Sequence, residues 1–363
     1  MKAGLSIQEL GTELRRRDQA KLDYLVNTGS LHMDTWENQP MLRLSDESGT
    51  DLIEPLDILP TAHRQLGDYL GIPKKYYDRM LSEDTELLTQ NVNRWLRRAP
   101  ELRILRTIDG QARAFLSNRY RCIDHLDLVR VVLPIIGEMP EVQYVSCELT
   151  NDFMYIKVVN PRLTADVVPG DTVQAGVIIS NSETGQGSVC IQPLIYRLVC
   201  SNGMVVNDAT DAEVRRIHKG RAYMTDAPFQ IHAQESLTAS DGDFISKLQN
   251  TVRTAIDEAK LLQVLGKMRE SKEMRLNTEN LPQLIKLTGA SFKVHEDEQE
   301  GVMRHLVADQ DYTLYGLANA ITRYSQDVAS YDRATKLESI GYNVMNMPRD
   351  LFRRINQAAG MAA

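Results

Sequence analysis

Long hydrophobic runs are missing from this 363-residue sequence, which nowhere approaches the ~18 consecutive apolar residues that a transmembrane helix needs. Residues 1–14 also lack the apolar core of a secretory signal and include Lys2, Glu9 and Glu13. The four cysteines contain no Cys-x-x-Cys pair, which favours reduced, mostly buried thiols over a disulfide framework. These absences predict a cytoplasmic protein with no membrane partner.

Catalytic and metal-binding motifs are scarce as well. The loop from Asn181 to Gly187 is rich in glycine but lacks the Lys-Ser/Thr of a phosphate loop. Cys200 has no histidine near it in sequence, which argues against a nucleophile. None of the histidines shows the His-x-x-x-His or His-Glu-x-x-His spacing of a metal site: His32, His63, His125, His218, His232, His295 and His305. We therefore expect neither an enzyme nor a bound metal or cofactor.

What the sequence does contain is a strong segregation of charge. The net charge is −7, which argues against a protein covered in positive charge. Yet the window from Arg94 to Arg121 holds eight arginines and two acids, a net +6, so the rest of the chain carries −13. From Glu296 to Asp311, six acids accompany one base. Such separation along the chain indicates an interaction surface, or pairing between the two kinds of segment.

The order of predicted elements favours an α+β fold with antiparallel hairpins. A capping box at Ser6 and Glu9 opens a first helix that we expect to run to Leu25. Three hairpins and one interposed helix, beginning at Asp124, then predict a β-rich core over 101–235. The core lies between a mainly helical region, 1–100, and a helical region, 236–363. The clearest helices expected outside the core cover 62–70, 74–81, 84–98, 244–268, 312–328 and 348–359.

The first hairpin carries the clearest chemical signature. Asp109-Gly110 is a strong two-residue turn signal, and such a turn places Arg106 directly opposite Arg113. Alternation puts Ile104 and Phe115 on the same face as these arginines. Thr107, Leu105, Ala112, Ala114 and Leu116 form the opposite, core face. Two facing arginines repel each other unless an anion lies between them, so the hairpin is predicted to bind an anion.

Aromatic residues among the arginines suggest that the anion is nucleic acid. Guanidinium groups donate paired hydrogen bonds to phosphate, and aromatic rings stack on bases. The sequence therefore predicts non-specific binding or annealing of single-stranded nucleic acid, with possible homo-oligomerisation. The predicted contact residues are Arg94, Trp95, Arg97, Arg98, Arg106, Arg113, Phe115, Arg119, Tyr120 and Arg121.

Three alternatives remain open. The arginines could pair with acids of the same chain, for example those between Glu296 and Asp311. An acidic surface could instead serve a protein-binding module, such as an antirestriction factor that mimics DNA. Residues 62–81 have the pattern of a helix-turn-helix, with Lys74, Lys75 and Arg79 on the candidate recognition helix, although packing alone explains the pattern.

Four segments, in order along the chain, resemble a phage/plasmid-like protein family catalogued as a domain of unknown function. They are residues 70–80 (Leu-Gly-Ile-Pro-Lys-Lys-Tyr-Tyr-Asp-Arg-Met), 113–121 (Arg-Ala-Phe-Leu-Ser-Asn-Arg-Tyr-Arg), 197–203 (Arg-Leu-Val-Cys-Ser-Asn-Gly) and 315–322 (Tyr-Gly-Leu-Ala-Asn-Ala-Ile-Thr). The resemblance covers nearly the whole chain and implies a gene of prophages, phages or conjugative plasmids. It implies no catalytic residue. By analogy of fold only, a basic hairpin groove is similar in outline to phage annealing proteins.

Overall fold

A computed structural model describes residues 1–46, 48–207, 229–231, 242–255 and 257–361. It has the expected mixed α+β architecture, with 48% of residues in helices and 26% in strands. His218, His232 and the expected boundary near residue 235 lie outside the described residues. No helix among the described residues is long and apolar enough to cross a membrane.

The described strands form two sheets. A seven-stranded sheet has the order β12-β1-β5-β6-β4-β3-β2, and a five-stranded sheet has the order β11-β10-β9-β8-β7. Neighbouring strands are antiparallel except for β4 and β6. The strands are β1 Lys21–Asn27, β2 Leu31–Trp36, β3 Gln39–Leu44, β4 Leu56–Ile58, β5 Leu102–Ile108, β6 Gln111–Ser117, β7 Gln143–Leu149, β8 Met154–Asp166, β9 Thr172–Asn181, β10 Cys190–Arg197, β11 Asn202–Val205 and β12 Phe229–Ile231.

Helices cover these sheets. They are α1 Ile7–Ala20, α2 Pro60–Leu70, α3 Lys74–Glu83, α4 Thr85–Leu96, α5 His125–Gly137, α6 Gly242–Ala255, α7 Glu258–Lys272, α8 Leu281–Phe292, α9 Glu296–Asp309, α10 Leu314–Tyr324, α11 Tyr331–Met345 and α12 Arg349–Met361. The capping box at Ser6 and Glu9 is present as predicted, with both reciprocal hydrogen bonds. A 3₁₀ turn at Thr28–Ser30 separates β1 from β2.

Two large hydrophobic cores and two smaller clusters form among the described residues. One packs α2, α3 and α4 on the seven-stranded sheet and includes Leu66, Tyr77 and Val92. The larger core joins the five-stranded sheet to α1, α5 and the C-terminal helices, and includes Leu10, Val132 and other buried side chains. Strands β1 to β4 come from the first 100 residues and share their sheet with β5 and β6, so the expected region boundary at residue 100 falls within one sheet.

Two predicted helices have different bounds in the structure. The first helix ends at Ala20, and Lys21–Asn27 forms a strand paired with β5, because Tyr24, Leu25 and Val26 are buried in the sheet. The long helix predicted for 244–268 is two helices, α6 and α7. Asp257 ends the run because its side chain accepts a hydrogen bond from Ala259 and caps α7.

Candidate functional site: the arginine-rich hairpin and its surroundings

The first hairpin turns where the sequence predicts but has a different register. Asp109 and Gly110 both have positive φ, as a two-residue hairpin turn requires. Ile108 faces Gln111 and Thr107 faces Ala112 as expected, but Arg106 then faces Ala114, so Arg113 is the extra residue of a β-bulge. The prediction that Arg106 and Arg113 face each other across the strands is wrong.

The bulge also moves Phe115 to the opposite face of the sheet. A shift of one residue exchanges the two faces of a strand. Phe115 pairs with Leu105 and lies in the core beneath α2, where its ring is 5.4 Å from that of Tyr69. Ala114 and Leu116 pack with Ile104 on the other face. Phe115 is therefore core and has no exposed ring face for a base, contrary to its predicted stacking role.

Arg106 is completely buried and bound by carboxylates of the same chain. Its Nε donates to Asp23 at 2.9 Å, and its Nη2 donates to Asp124 at 3.1 Å. Its Nη1 donates to the backbone oxygen of Glu183 at 2.9 Å. Asp23 lies directly opposite Arg106 on β1, and Asp124 precedes α5. The predicted phosphate contact at Arg106 is therefore contradicted, because its three donor nitrogens are already used.

Arg113 is buried against Glu183 in the loop after β9. Its Nη2 donates to Glu183 at 2.8 Å, and the second oxygen of the same carboxylate accepts the backbone N–H of His125 at 2.6 Å. Only 4% of the Arg113 surface is exposed. The predicted phosphate contact at Arg113 is contradicted as well, since a polynucleotide could not reach this guanidinium without displacing the loop.

Burial and neighbouring charges shift the pKa values of three groups in this buried network. Burial favours a neutral Glu183, but His125, Arg113 and Arg106 outweigh it and keep the pKa of Glu183 well below its ordinary value. Burial and the Glu183 charge raise the pKa of Asp124, while Arg106 and Lys21 oppose that shift. Burial lowers the pKa of His125 to about 4. Pairing with acids of the same chain was one of the alternatives, and Arg106 and Arg113 follow it, although their partners are Asp23, Asp124 and Glu183 and not the acids of 296–311.

Tyr120 and Arg121 are only partly accessible. The hydroxyl of Tyr120 donates to the backbone oxygen of Ser182 at 3.4 Å, and burial raises the tyrosine pKa. The Nε of Arg121 is buried. Tyr120 therefore lies at the junction between the hairpin and the 181–187 loop.

The other five predicted contact residues are exposed and form what we call the arginine–tryptophan surface: Arg94, Trp95, Arg97, Arg98 and Arg119. Trp95 is 40% exposed, and the Arg98 guanidinium lies 5.0 Å from its ring centroid. In the part of the chain that the structure describes, none of these four arginines forms an ion pair with a carboxylate. Arg97 lies 3.5 Å from His32, nitrogen to nitrogen.

The fold brings these residues toward one end of the hairpin. Arg94 to Arg98 form the C-terminal end of α4, and residues 97–101 lead directly into β5. Arg119 follows β6 by two residues, and the last residue of β6, Ser117, is opposite Arg103 near the start of β5. The open end of the hairpin therefore carries both parts of the arginine–tryptophan surface.

The structure does not favour the two other candidate surfaces. On the candidate recognition helix, Lys74 pairs with Asp78, and Arg79 pairs with Glu83. In the acidic segment, Glu298 is buried against Arg333, so that stretch is partly neutralised within the chain. Among the described residues, no group of three or more histidine, cysteine, aspartate or glutamate side chains is arranged to hold a metal ion.

Sequence reasoning missed the partners of the arginines and one large cleft. A strand predicted at Lys21–Asn27 would have placed Asp23 in the sheet beside the hairpin. The run of Tyr24, Leu25 and Val26 was the sequence signal for that strand. The cleft lies between α11 and the five-stranded sheet. Its lining comes from elements far apart in the chain, so no local pattern could reveal it.

Comparison with known proteins gives a family but no activity. Searches of curated proteins and of solved structures each found no match. A family model described as "Domain of unknown function (DUF932)" matches residues 114–354, which is more than half of the chain. That match includes the end of strand β6 from Ala114, the whole five-stranded sheet and most of the C-terminal helices. The chain therefore belongs to this DUF932 family of unknown function.

Proposed function

We propose that this chain binds single-stranded nucleic acid, without sequence preference, through the arginine–tryptophan surface. The observation that carries the proposal is the set of four exposed arginines with no carboxylate partner among the described residues, one of which, Arg98, lies 5.0 Å from the half-exposed indole of Trp95. Arginine and an aromatic ring are the combination with which single-strand binders hold phosphates and stack bases. The buried Arg106 and Arg113 stabilise the hairpin next to this surface but are not part of the surface.

A structural explanation of the same cluster has to be weighed. Basic side chains near the C-terminal end of a helix interact favourably with the helix dipole, by about 0.3–1 kcal/mol each. That effect accounts for Arg94, in the last turn of α4, and for Arg97, at its C-cap. It does not account for Arg119, which follows a strand, or for an exposed tryptophan among the arginines. We therefore favour a binding surface.

Salt dependence provides the first test. Contacts from four arginines to phosphates would give a slope of log K against log salt of about −3 for a single strand. Fluorescence anisotropy of a labelled oligothymidine between 50 and 200 mM salt, as approximate limits, measures that slope. A slope near zero would contradict the proposal.

Matched variants locate the surface. Arg97→Gln with Arg98→Gln should weaken binding about tenfold or more and reduce the salt slope by about 1.4. Trp95→Leu should cost about 1–3 kcal/mol of binding free energy through lost stacking. Arg15→Gln with Arg354→Gln removes the same charge from two exposed arginines elsewhere and should leave the affinity nearly unchanged. Equal losses in both double variants would mean that net charge, not this surface, drives binding.

The proposal extends to location and assembly. We place the protein in the cytoplasm and propose that copies of it assemble on a strand and anneal complementary strands, a role that suits the phage and plasmid genes its sequence resembles. Native mass measurement with and without oligonucleotide, together with an annealing assay on complementary strands, tests this extension. Strand binding by a monomer without annealing would reject the extension and leave the binding proposal intact.

A further inference from the structure

A polar cleft of about 760 Å³ lies between helix α11 and the outward face of the five-stranded sheet. Five residues on one face of α11 line one wall: Asp332, Thr335, Lys336, Ser339 and Asn343. The other wall includes Ser180, Gln192 and Asn207, and the glycine-rich loop closes one end with Gln186. A volume of roughly 300–1,000 Å³ is typical of pockets for small molecules.

Neutral hydrogen-bonding groups dominate the lining. The Nε2 of Gln192 donates to Asn207 at 2.6 Å, and the amide of Asn207 donates in turn to Ser339, so these amides have fixed orientations. The hydroxyl oxygen of Thr335 is buried and has no hydrogen-bond partner within the described structure. An unsatisfied buried hydroxyl is costly, and this one lies beneath the surface of the α11 wall of the cleft.

The cleft also contains an aromatic pair and little net charge. The rings of Phe153 and Tyr155 are stacked, with centroids 5.7 Å apart and an angle of 24° between planes. Tyr155 is buried against Tyr331, so the half-buried Phe153 is the ring that a base could reach. The charged side chains in the lining are Asp332 and Lys336, which balance each other. Asp332 is already engaged by the hydroxyl of Thr150 at 3.2 Å, whereas Lys336 is exposed. This lining suits neither an apolar ligand nor one with many negative charges.

We propose that this cleft binds a mononucleotide unit, that is, a nucleobase with its ribose and one phosphate. Amide side chains read base edges through paired hydrogen bonds, and aromatic rings stack on bases. The hydroxyl groups suit the ribose, and Lys336 supplies a single positive charge for one phosphate. The unit comes either from a free nucleotide or from an unstacked base of a strand. The inference stands apart from the arginine–tryptophan surface, with which the cleft shares no residue.

Calorimetric titration of the full chain with AMP, GMP, CMP and UMP tests the proposal. We expect at least one nucleotide to bind saturably, and ribose 5-phosphate, inorganic phosphate and maltose to bind at least tenfold more weakly. Failure of all four nucleotides to bind would overturn the proposal. Equal affinity for ribose 5-phosphate or maltose would also overturn it, because recognition would not then require the base.

Variants tie binding to the cleft. Asn343→Ala removes a partly exposed amide from the α11 wall, so the fold should be retained while affinity falls about fivefold. Lys336→Gln should weaken nucleotide binding about five- to tenfold. Lys286→Gln, at an exposed lysine on α8, is the matched control and should have no effect. Unchanged affinity in both cleft variants would reject the site.

Competition identifies the source of the ligand. If an oligothymidine displaces the bound nucleotide, the cleft takes an unstacked base from a strand. If it does not, the cleft takes free nucleotides. Either result supports binding of a mononucleotide unit in the cleft. Both are measured as loss or retention of the bound nucleotide. Failure of the arginine–tryptophan surface would instead abolish strand binding and leave nucleotide binding unchanged.

Discussion

Arg106 illustrates how a residue that looks like a ligand-binding group can serve the fold. An arginine stays charged even when buried, so its guanidinium needs carboxylate partners in the interior. Asp23 and Asp124 provide them, and the backbone oxygen of Glu183 accepts a third hydrogen bond. The arginine thereby joins two strands of the seven-stranded sheet, β1 and β5, to α5 and to the loop that follows β9 of the five-stranded sheet.

Replacing Arg106 with methionine should therefore destabilise the protein severely. The variant keeps an apolar side chain in place but leaves Asp23 buried without its ion-pair partner and Asp124 paired with Lys21 alone, at a cost of about 3–5 kcal/mol. Urea denaturation followed by circular dichroism measures the free energy of unfolding. Arg119→Met is the control at an exposed position and should change it by less than about 0.5 kcal/mol. Similar effects of the two substitutions would show that the buried network contributes little.

Among the elements, the first hairpin shows which parts of a strand pair follow from local chemistry. Its turn is local, because Asp109 and Gly110 adopt positive φ angles that few other residue pairs tolerate. Its bulge is not local, because Arg113 leaves the ladder to reach Glu183, 70 residues further along the chain. The pairs next to the turn were predicted correctly, and the pairs beyond Ala112 were not.

Gly110→Ala tests the turn. The alanine would have to adopt a φ of 73°, at a cost of roughly 1–2 kcal/mol. Gly266 lies exposed within α7, without positive φ and with open space where the methyl group of an alanine would lie, so Gly266→Ala should instead stabilise the protein by about 0.4–1 kcal/mol. Thermal unfolding of both variants gives the comparison. A loss of stability in both would indicate that added methyl groups, not backbone conformation, cause the effect.

Across the molecule, the two hydrophobic cores meet at a buried polar junction that includes His125. Burial lowers the pKa of this histidine to about 4, whereas an unfolded chain takes up the proton near 6.5. Between these values the unfolded state binds more protons than the folded state. Stability contributed by neutral His125 is therefore present above pH 6.5 and is lost as the pH falls toward 4.

The free energy of unfolding should accordingly decrease by about 2 kcal/mol between pH 7 and pH 5 through His125 alone. His125→Asn, whose amide can still bond to Asn181, should remove about that much of the decrease. His295→Asn provides the control at an exposed histidine that precedes α9. Urea titrations at the two pH values supply the measurement. An unchanged pH dependence in the His125 variant would mean that other groups, such as the partly buried His63, dominate the acid response.

Local sequence was sufficient for the α+β class, the capping box at Ser6, the turn at Asp109-Gly110 and the approximate position of most helices, because capping and turn geometry depend on side chains within four residues of each other. Local sequence did not determine which residues pair with the buried arginines. Asp23 is 83 residues from Arg106, and its position opposite that arginine depends on strand pairing and on the burial that accompanies it. Such ion pairs depend on the register between strands that are distant in sequence, which local patterns do not specify. Once the strands pair and the guanidinium is buried, leaving it without a carboxylate partner is costly.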